Sequence, residues 1–199
     1  MSKKKTIPKP TDLQYRDFDN FEIRAADDGS MFVEGYAATF EKTILFEYDG
    51  VEYKEIIDRN AFTEADMTDV IFNYNHGGKV MARTRNNTLE LKVDNKGLWM
   101  SAQVDGTVEG RNIHEEIQGG YIDRMSFAFK VNEDSYDRET QTRTILKIKK
   151  VWDVSAVDIP AYDSTSISAR GYFEAEAEKE QIELENSNLR KKLILKTYL

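Results

Sequence analysis

The sequence contains no cysteine, which excludes a disulfide framework, a thiolate nucleophile and a cysteine-based metal site. It has only two histidines, so we expect no imidazole-built zinc site and, more broadly, neither a metal nor a cofactor. Basic residues are outnumbered by acidic ones, and the formal net charge of -8 argues against nucleic acid as a specific partner. Proline is also scarce, at three residues.

Long apolar runs are missing as well. None approaches the roughly 20 residues that cross a bilayer. The opening "MSKKKTIPKP" lacks the apolar segment of a signal peptide. These two absences predict a soluble intracellular protein without a membrane partner.

What is present favours one folded domain with an extension at each end. The 199 residues are 40% hydrophobic and 11% aromatic, enough for a real core. Residues 1–20 are basic and then polar and predict a flexible arm. Residues 21–170 alternate apolar and polar positions between turn signals and predict a β-rich body. Residues 171–199, rich in Glu, Lys and Leu, predict a helical tail that is either solvated or a helix for oligomerisation or scaffold docking.

Two stretches inside the body predict helices. In "YKEIIDRNAFTEAD" a strand end leads into a short helix. In "TVEGRNIHEEIQGG" the apolar residues recur at helical spacing and stop at Gly119 and Gly120, as a helix C-terminus often does.

The stretch "YIDRMSFAFKV" predicts a strand that carries a serine. In extended conformation Met125, Phe127 and Phe129 point to one face, whereas Ser126 and the small Ala128 point to the other. A serine on the face opposite the packing aromatics is a candidate nucleophile only if a base lies near it.

Only His76 and His114 can supply an imidazole base. His76 ends the strand-like "VIFNYNH" and precedes two glycines, whereas His114 lies in the predicted helix beside two glutamates. Catalytic side chains are commonly held where a rigid element gives way to a loop, which favours His76. The residues alone thus indicate a β-rich domain with one candidate Ser/His pair.

Five segments in a fixed order resemble the prohead proteases of tailed bacteriophages, and through them the herpesvirus assemblins. The segments are "VEGYAATFE", "EIIDRNAF", "NYNHGGKVMARTRNNTLELKVDNKGLWMSAQVD", "GRNIHEEIQGGYIDRMSFAFKV" and "VWDVSAVDIPAYDSTSI". They span about residues 33–168, nearly the whole predicted body. The chain departs from the family pattern at Gly77 and Ala128, two small residues outside the catalytic set.

The resemblance assigns roles to individual residues. It implies that His76 and Ser126 form the catalytic pair and that Asp153, in "VWDVSAV", is the third member. The herpesvirus enzymes use a second histidine there, so His114 stays open as an alternative. Backbone N–H groups or an ordered water are expected to stabilise the oxyanion, and three arginines are candidates to assist: Arg83, Arg85 and Arg143.

The resemblance also implies a fold and a function. The fold is β-rich α+β: a mostly antiparallel β-barrel of herpesvirus-protease type with a few peripheral helices and a C-terminal helix. The function is that of a serine endopeptidase that cleaves the scaffold segment of the major capsid protein, and itself, inside the prohead in the host cytoplasm. Self-association as a dimer and trimming of the termini are expected. Two alternatives are an inactive capsid-assembly scaffold and a β-rich binding module.

Overall fold

The computed structural model describes residues 13–19, 21–25, 29–158 and 162–197, with side chains for 13–16, 29–158 and 171–191. The strands are β1 Gln14–Asp19, β2 Phe21–Ala25, β3 Met31–Thr39, β4 Thr43–Tyr48, β5 Val51–Ile57, β6 Ile71–Tyr74, β7 Gly77–Arg83, β8 Leu89–Val93, β9 Gly97–Gln103, β10 Arg124–Asp137 and β11 Thr142–Val157. The helices are α1 Val108–Gln118 and α2 Tyr162–Thr197. No described helix is long and apolar enough to cross a membrane.

These strands form two sheets. The larger has the order β1-β10-β11-β5-β4, with β6 and then β7 added at the other end of β11. Both β5 and β6 run parallel to β11, and the remaining pairs of this sheet are antiparallel. The second sheet has the order β2-β3-β9-β8 and is antiparallel throughout. The predicted β-rich α+β class is confirmed, but neither sheet closes on itself among the described residues, so the herpesvirus-type barrel stays a prediction.

The predicted serine strand is the first half of β10, which lies between the edge strand β1 and β11 in the larger sheet. Phe127 and Phe129 are fully buried and stack with ring centroids 4.4 Å apart. Both faces of the strand are covered here, since Ser126 and Ala128 are fully buried too. The alternation therefore predicts the orientation of the side chains correctly, but the serine face is not open to solvent.

Packing on the aromatic face should carry a large share of stability. Phe127 also contacts Phe62, at 6.3 Å between centroids, and truncating such a ring leaves a cavity. We expect Phe127→Ala to lower the free energy of unfolding by about 3–5 kcal/mol. Urea denaturation measures this, with Tyr121→Ala as the control because Tyr121 is 81% exposed. A loss below about 1 kcal/mol would mean that the ring is not packed as described.

Two predictions of local structure are corrected, and a third is confirmed. The flexible arm was expected through residue 20, but Gln14–Asp19 form β1, which pairs with β10; residues 1–12 lie outside the described residues. The short helix expected after "YKEII" is a series of turns over 59–64, because the N–H groups of Asn60 and Ala61 bond back to Asp58 instead of starting a helical ladder. The predicted helix before "GG" is confirmed as α1, capped by Thr107.

The C-terminal helix α2 begins at Tyr162, before the predicted boundary between body and tail. Its Phe173 is buried with Leu45 of β4, and the Phe173 ring meets those of Phe46 and Tyr53 edge-on. Further along, Leu189 is exposed, together with Ile182 and Leu184. One end of the helix is thus docked on the body, while the function of the tail stays a prediction.

Candidate active site

The site is built on three adjacent strands of the larger sheet. Antiparallel pairing of β10 with β11 sets Ser126 opposite Ser155, and parallel pairing of β11 with β6 sets Ser155 beside Asn73. Asp153 lies two residues before Ser155 and therefore points to the same face, opposite Ala128. A row of small polar side chains thus crosses the sheet and ends at β6.

His76 lies in the turn that follows β6, and its side chain reaches this row of polar residues. The strand-like pattern extended through His76, but β6 ends at Tyr74, and the two-residue connection to β7 consists of Asn75 and His76. Both have positive φ, 48° and 55°, as the central residues of a type I′ hairpin turn must. Asn and His adopt this conformation more readily than most non-glycine residues. The turn sends the imidazole back over β11 toward β10.

Three side chains then form a continuous hydrogen-bonded array. The Nδ1 atom of His76 lies 2.6 Å from Oδ1 of Asp153, and its Nε2 atom lies 2.8 Å from Oγ of Ser126. Since an ionised carboxylate only accepts, Nδ1 carries the proton and donates to Asp153. Nε2 is then left to accept the Ser126 hydroxyl proton. This orientation suits an imidazole acting as a general base.

Ser155 contacts both His76 and Asp153 and links them. Its Oγ accepts from the backbone N–H of His76 at 3.2 Å and lies 3.1 Å from Nδ1 and 3.0 Å from Oδ1 of Asp153. It donates its own proton to Oδ1 of Asn73. Ser155 is fully buried and Asn73 nearly so. The hydroxyl therefore fixes the positive-φ backbone of His76 relative to the carboxylate.

Tyr15 of β1, the strand on the outer edge of β10, contacts the His76 ring. Its ring centroid lies 4.4 Å from that of His76. Burial, and secondarily the negative charge of Asp153, raise the pKa of the Tyr15 hydroxyl above its usual value. Tyr15 is the backbone partner of Ala128, so its side chain lies on the same face of the sheet as Ser126.

The other predicted participants lie elsewhere. His114 is buried in α1, and its ring is absent from the described contacts of His76, whose Nδ1 already bonds Asp153. Arg83 and Arg85 both bind Asp69, and the buried Arg143 binds Glu55 and Asp134. In the described part of the chain none of these arginines contacts Ser126, so the expected assistance from an arginine finds no support.

Sequence reasoning did not identify Ser155, Asn73 or Tyr15 as part of the site. A signal existed for Ser155, because a strand brings residues two apart to the same face and Ser155 follows Asp153 by two. Asn73 becomes visible only when β6 is known to run beside β11. Tyr15 was assigned to a flexible arm, where no contact was expected.

A serine hydroxyl, an imidazole and a carboxylate in line are the groups with which serine hydrolases carry out acyl transfer. A family model described as caudovirus prohead serine protease matches residues 19–180, and the chain belongs to this family. Its members are proteases of capsid maturation and virion assembly in tailed bacteriophages.

The chain is also similar to a solved structure, the bacteriophage T4 capsid assembly protease, at 13% identity and a TM-score of 0.45 over 74% of this chain and 99% of that one. No curated protein matches the chain. The relation to herpesvirus assemblins stays a prediction from the sequence.

Proposed function

We propose that this protein is a serine endopeptidase of phage head maturation, in which Ser126 is the nucleophile, His76 the general base and Asp153 the residue that orients His76. The observation that carries the proposal is the array from Asp153 Oδ1 through the His76 ring to Ser126 Oγ, with both contacts at hydrogen-bond length. Its substrates are the scaffold segment of the major capsid protein and the chain itself, inside the prohead in the host cytoplasm. Self-association accompanies this role.

The mechanism follows from the direction of each hydrogen bond. His76 Nε2 takes the Ser126 proton as Oγ forms a bond to the carbonyl carbon of the scissile peptide, and the imidazolium then protonates the leaving amine. Water, activated by the same nitrogen, breaks the acyl bond and regenerates the hydroxyl. Asp153 keeps the proton on Nδ1 and stabilises the positive charge that the ring gains in the transition state.

Co-expression with the capsid protein of the same phage tests the proposal. The wild-type chain should shorten the capsid protein and remove segments from its own termini, whereas Ser126→Ala should leave both at full length by intact mass. Ser135→Ala is the matched control, since Ser135 is an exposed serine on the same strand. An uncut capsid protein with the wild-type chain, or cutting by Ser126→Ala, would contradict the proposal.

Ser155 offers a test of positioning. Ser155→Ala removes the acceptor for the His76 N–H and should lower kcat by about 10- to 100-fold with little change in KM, because a displaced base reacts more slowly while substrate contacts persist. Ser155→Thr keeps the hydroxyl and should recover part of the loss. Ser101→Ala is the control, since Ser101 is a buried serine on β9 that bonds Glu34. If kcat falls only as far as the folded fraction falls, Ser155 has a purely structural role.

A further inference from the structure

The two sides of the nucleophile strand are not equivalent. One edge of β10 is paired with β11, which carries Asp153 and Ser155, and β11 is paired in turn with β6, which leads into the turn with His76. The other edge, over Arg124–Phe129, is paired with β1. Since the base and its partners occupy the first side, a peptide that is to reach Ser126 has to approach along the edge that β1 now covers.

The site as it stands does not admit a peptide. Ser126 has no exposed surface, yet an attacking oxygen and its target carbon must come within about 3.5 Å of each other. Asp17 of β1 is the backbone partner of Ser126, and the Tyr15 ring lies against His76. An extended segment of this chain thus occupies the place next to the nucleophile.

Side chains on both faces of β1 hold it there. Tyr15 contacts His76 on one face, while Arg16 on the other face binds Glu55 and lies over the Phe129 ring at 5.6 Å. Arg16 and Glu55 are almost fully buried. Arg143 binds the same carboxylate at 3.2 Å, so Glu55 keeps a cationic partner if β1 leaves. Release of β1 therefore avoids the large cost of an isolated buried charge.

Most of β1 also precedes the residues that the family model matches. The matching region begins at residue 19, where β1 ends. Ser126, His76 and Asp153 all lie within the matched residues.

We propose that the outer edge of β10, over Arg124–Phe129, is the surface on which this protease binds an extended substrate peptide, and that β1 occupies it as an intramolecular competitor. The inference rests on the proposed function and adds to it a mode of substrate binding by strand addition. Backbone hydrogen bonds supply affinity in this mode, and an antiparallel strand of another sequence can replace β1 without changing β10.

The competition has a kinetic signature. A tethered strand is present at an effective concentration in the millimolar range, so it competes strongly with free peptide as long as the tether is intact. If β1 covers the edge nine-tenths of the time or more, the apparent affinity for substrate falls at least about tenfold. The chemical step of the chains that do bind substrate is unchanged, so KM should respond and kcat should not.

The first experiment releases β1 from the folded, full-length chain. A recognition sequence for a site-specific protease is inserted at Asn20, between β1 and β2, and the purified protein is cut. We expect labelling of Ser126 by a fluorophosphonate to accelerate at least about tenfold on cutting. In that reaction the Ser126 oxygen forms a bond to phosphorus, fluoride leaves and His76 takes the proton. Free peptide QYRDFD, the β1 sequence, should slow the labelling of the cut protein again.

The second experiment holds β1 in place. Asp19 and Arg124 are antiparallel partners, whose Cα separation suits a disulfide, and the natural chain has no cysteine to interfere. In Asp19→Cys/Arg124→Cys, oxidation should suppress labelling and cleavage of the capsid protein, and dithiothreitol should restore both. The single variants, treated in the same way, are the controls. Equal rates before and after oxidation, with the disulfide verified by mass, would overturn the proposal, as would equal labelling of cut and uncut protein.

A binding measurement separates this inference from the proposed function. Fluorescent QYRDFD is titrated into Ser126→Ala, which carries the same inserted site, before and after cutting, and anisotropy is recorded. Binding that appears only after cutting supports the strand site whether or not Ser126 is the nucleophile. Absence of binding to the cut protein overturns it, whereas failure of the proposed function appears instead as absence of Ser126 labelling in every form.

Discussion

Loss of either Ser126 or His76 is expected to lower kcat for capsid-protein cleavage by at least about 10⁴-fold, and loss of both by no more than either alone. The reason is that the two groups carry out one step. Without the imidazole the hydroxyl keeps its proton, and without the hydroxyl the imidazole has no proton to take. The 2.8 Å contact between Nε2 and Oγ is the structural basis for this coupling.

The double variant makes the prediction sharp. Independent contributions would multiply to about 10⁸-fold, whereas a shared step leaves Ser126→Ala, His76→Ala and the double variant at one common residual rate. Initial rates on purified capsid protein measure this. His114→Gln serves as the control for a buried histidine and should stay within about twofold of wild type, because His114 is not among the described contacts of His76. If the losses in kcat of the two single variants multiply in the double variant, Ser126 and His76 do not act in the same step, and the prediction is wrong.

Asp153→Asn is expected to lower kcat by about 10³- to 10⁴-fold while the fold persists, because the amide matches the carboxylate in size. An amide N–H facing Nδ1 would make that nitrogen an acceptor and move the ring proton to Nε2, where it blocks proton transfer from Ser126. If the amide oxygen faces Nδ1 instead, the tautomer is kept but the imidazolium loses its negative partner. Both orientations of the amide slow the reaction.

Asp123→Asn is the matched control for this substitution. Asp123 is an exposed carboxylate just before β10, and its contact with Arg124 is 3.7 Å long, so its loss should change kcat by less than about twofold. Thermal unfolding of both variants verifies that they are folded. Should Asp153→Asn keep wild-type kcat while His114→Gln loses it, the third member would be the histidine that the herpesvirus comparison leaves open.

Local sequence patterns predicted the parts of the fold whose physics is local. Alternation in "RMSFAF" set which side chains of β10 share a face, because the period of a strand is two residues wherever the strand lies. The helical spacing before Gly119 and Gly120 predicted α1 for the same kind of reason. Both patterns depend on a few neighbouring residues, and both elements are present.

Predictions that depend on partners distant in sequence were weaker. The arm through residue 20 was expected to be flexible because its composition is polar, yet Gln14–Asp19 gain the backbone partners of β10 and the buried Glu55 as a counterion for Arg16. The stretch after "YKEII" contains good helix formers, but Asp58 bonds the N–H groups of Asn60 and Ala61 and holds turns instead. In both places the contacts override local propensity.

The sequence by itself determined which residue types are available for chemistry: it has no thiol, two imidazoles and a predicted strand that carries a serine. The order of the segments that resemble the family then indicated His76, Ser126 and Asp153 as the catalytic residues. The tertiary structure decided the geometry. Parallel pairing of β6 with β11 and a positive-φ turn bring His76 across 50 residues of chain to Ser126, and Ser155 holds that turn to the carboxylate. It also decided that β1 covers the nucleophile strand. Hydrogen bonds between strands far apart in the chain set these positions, and no local pattern encodes such pairings.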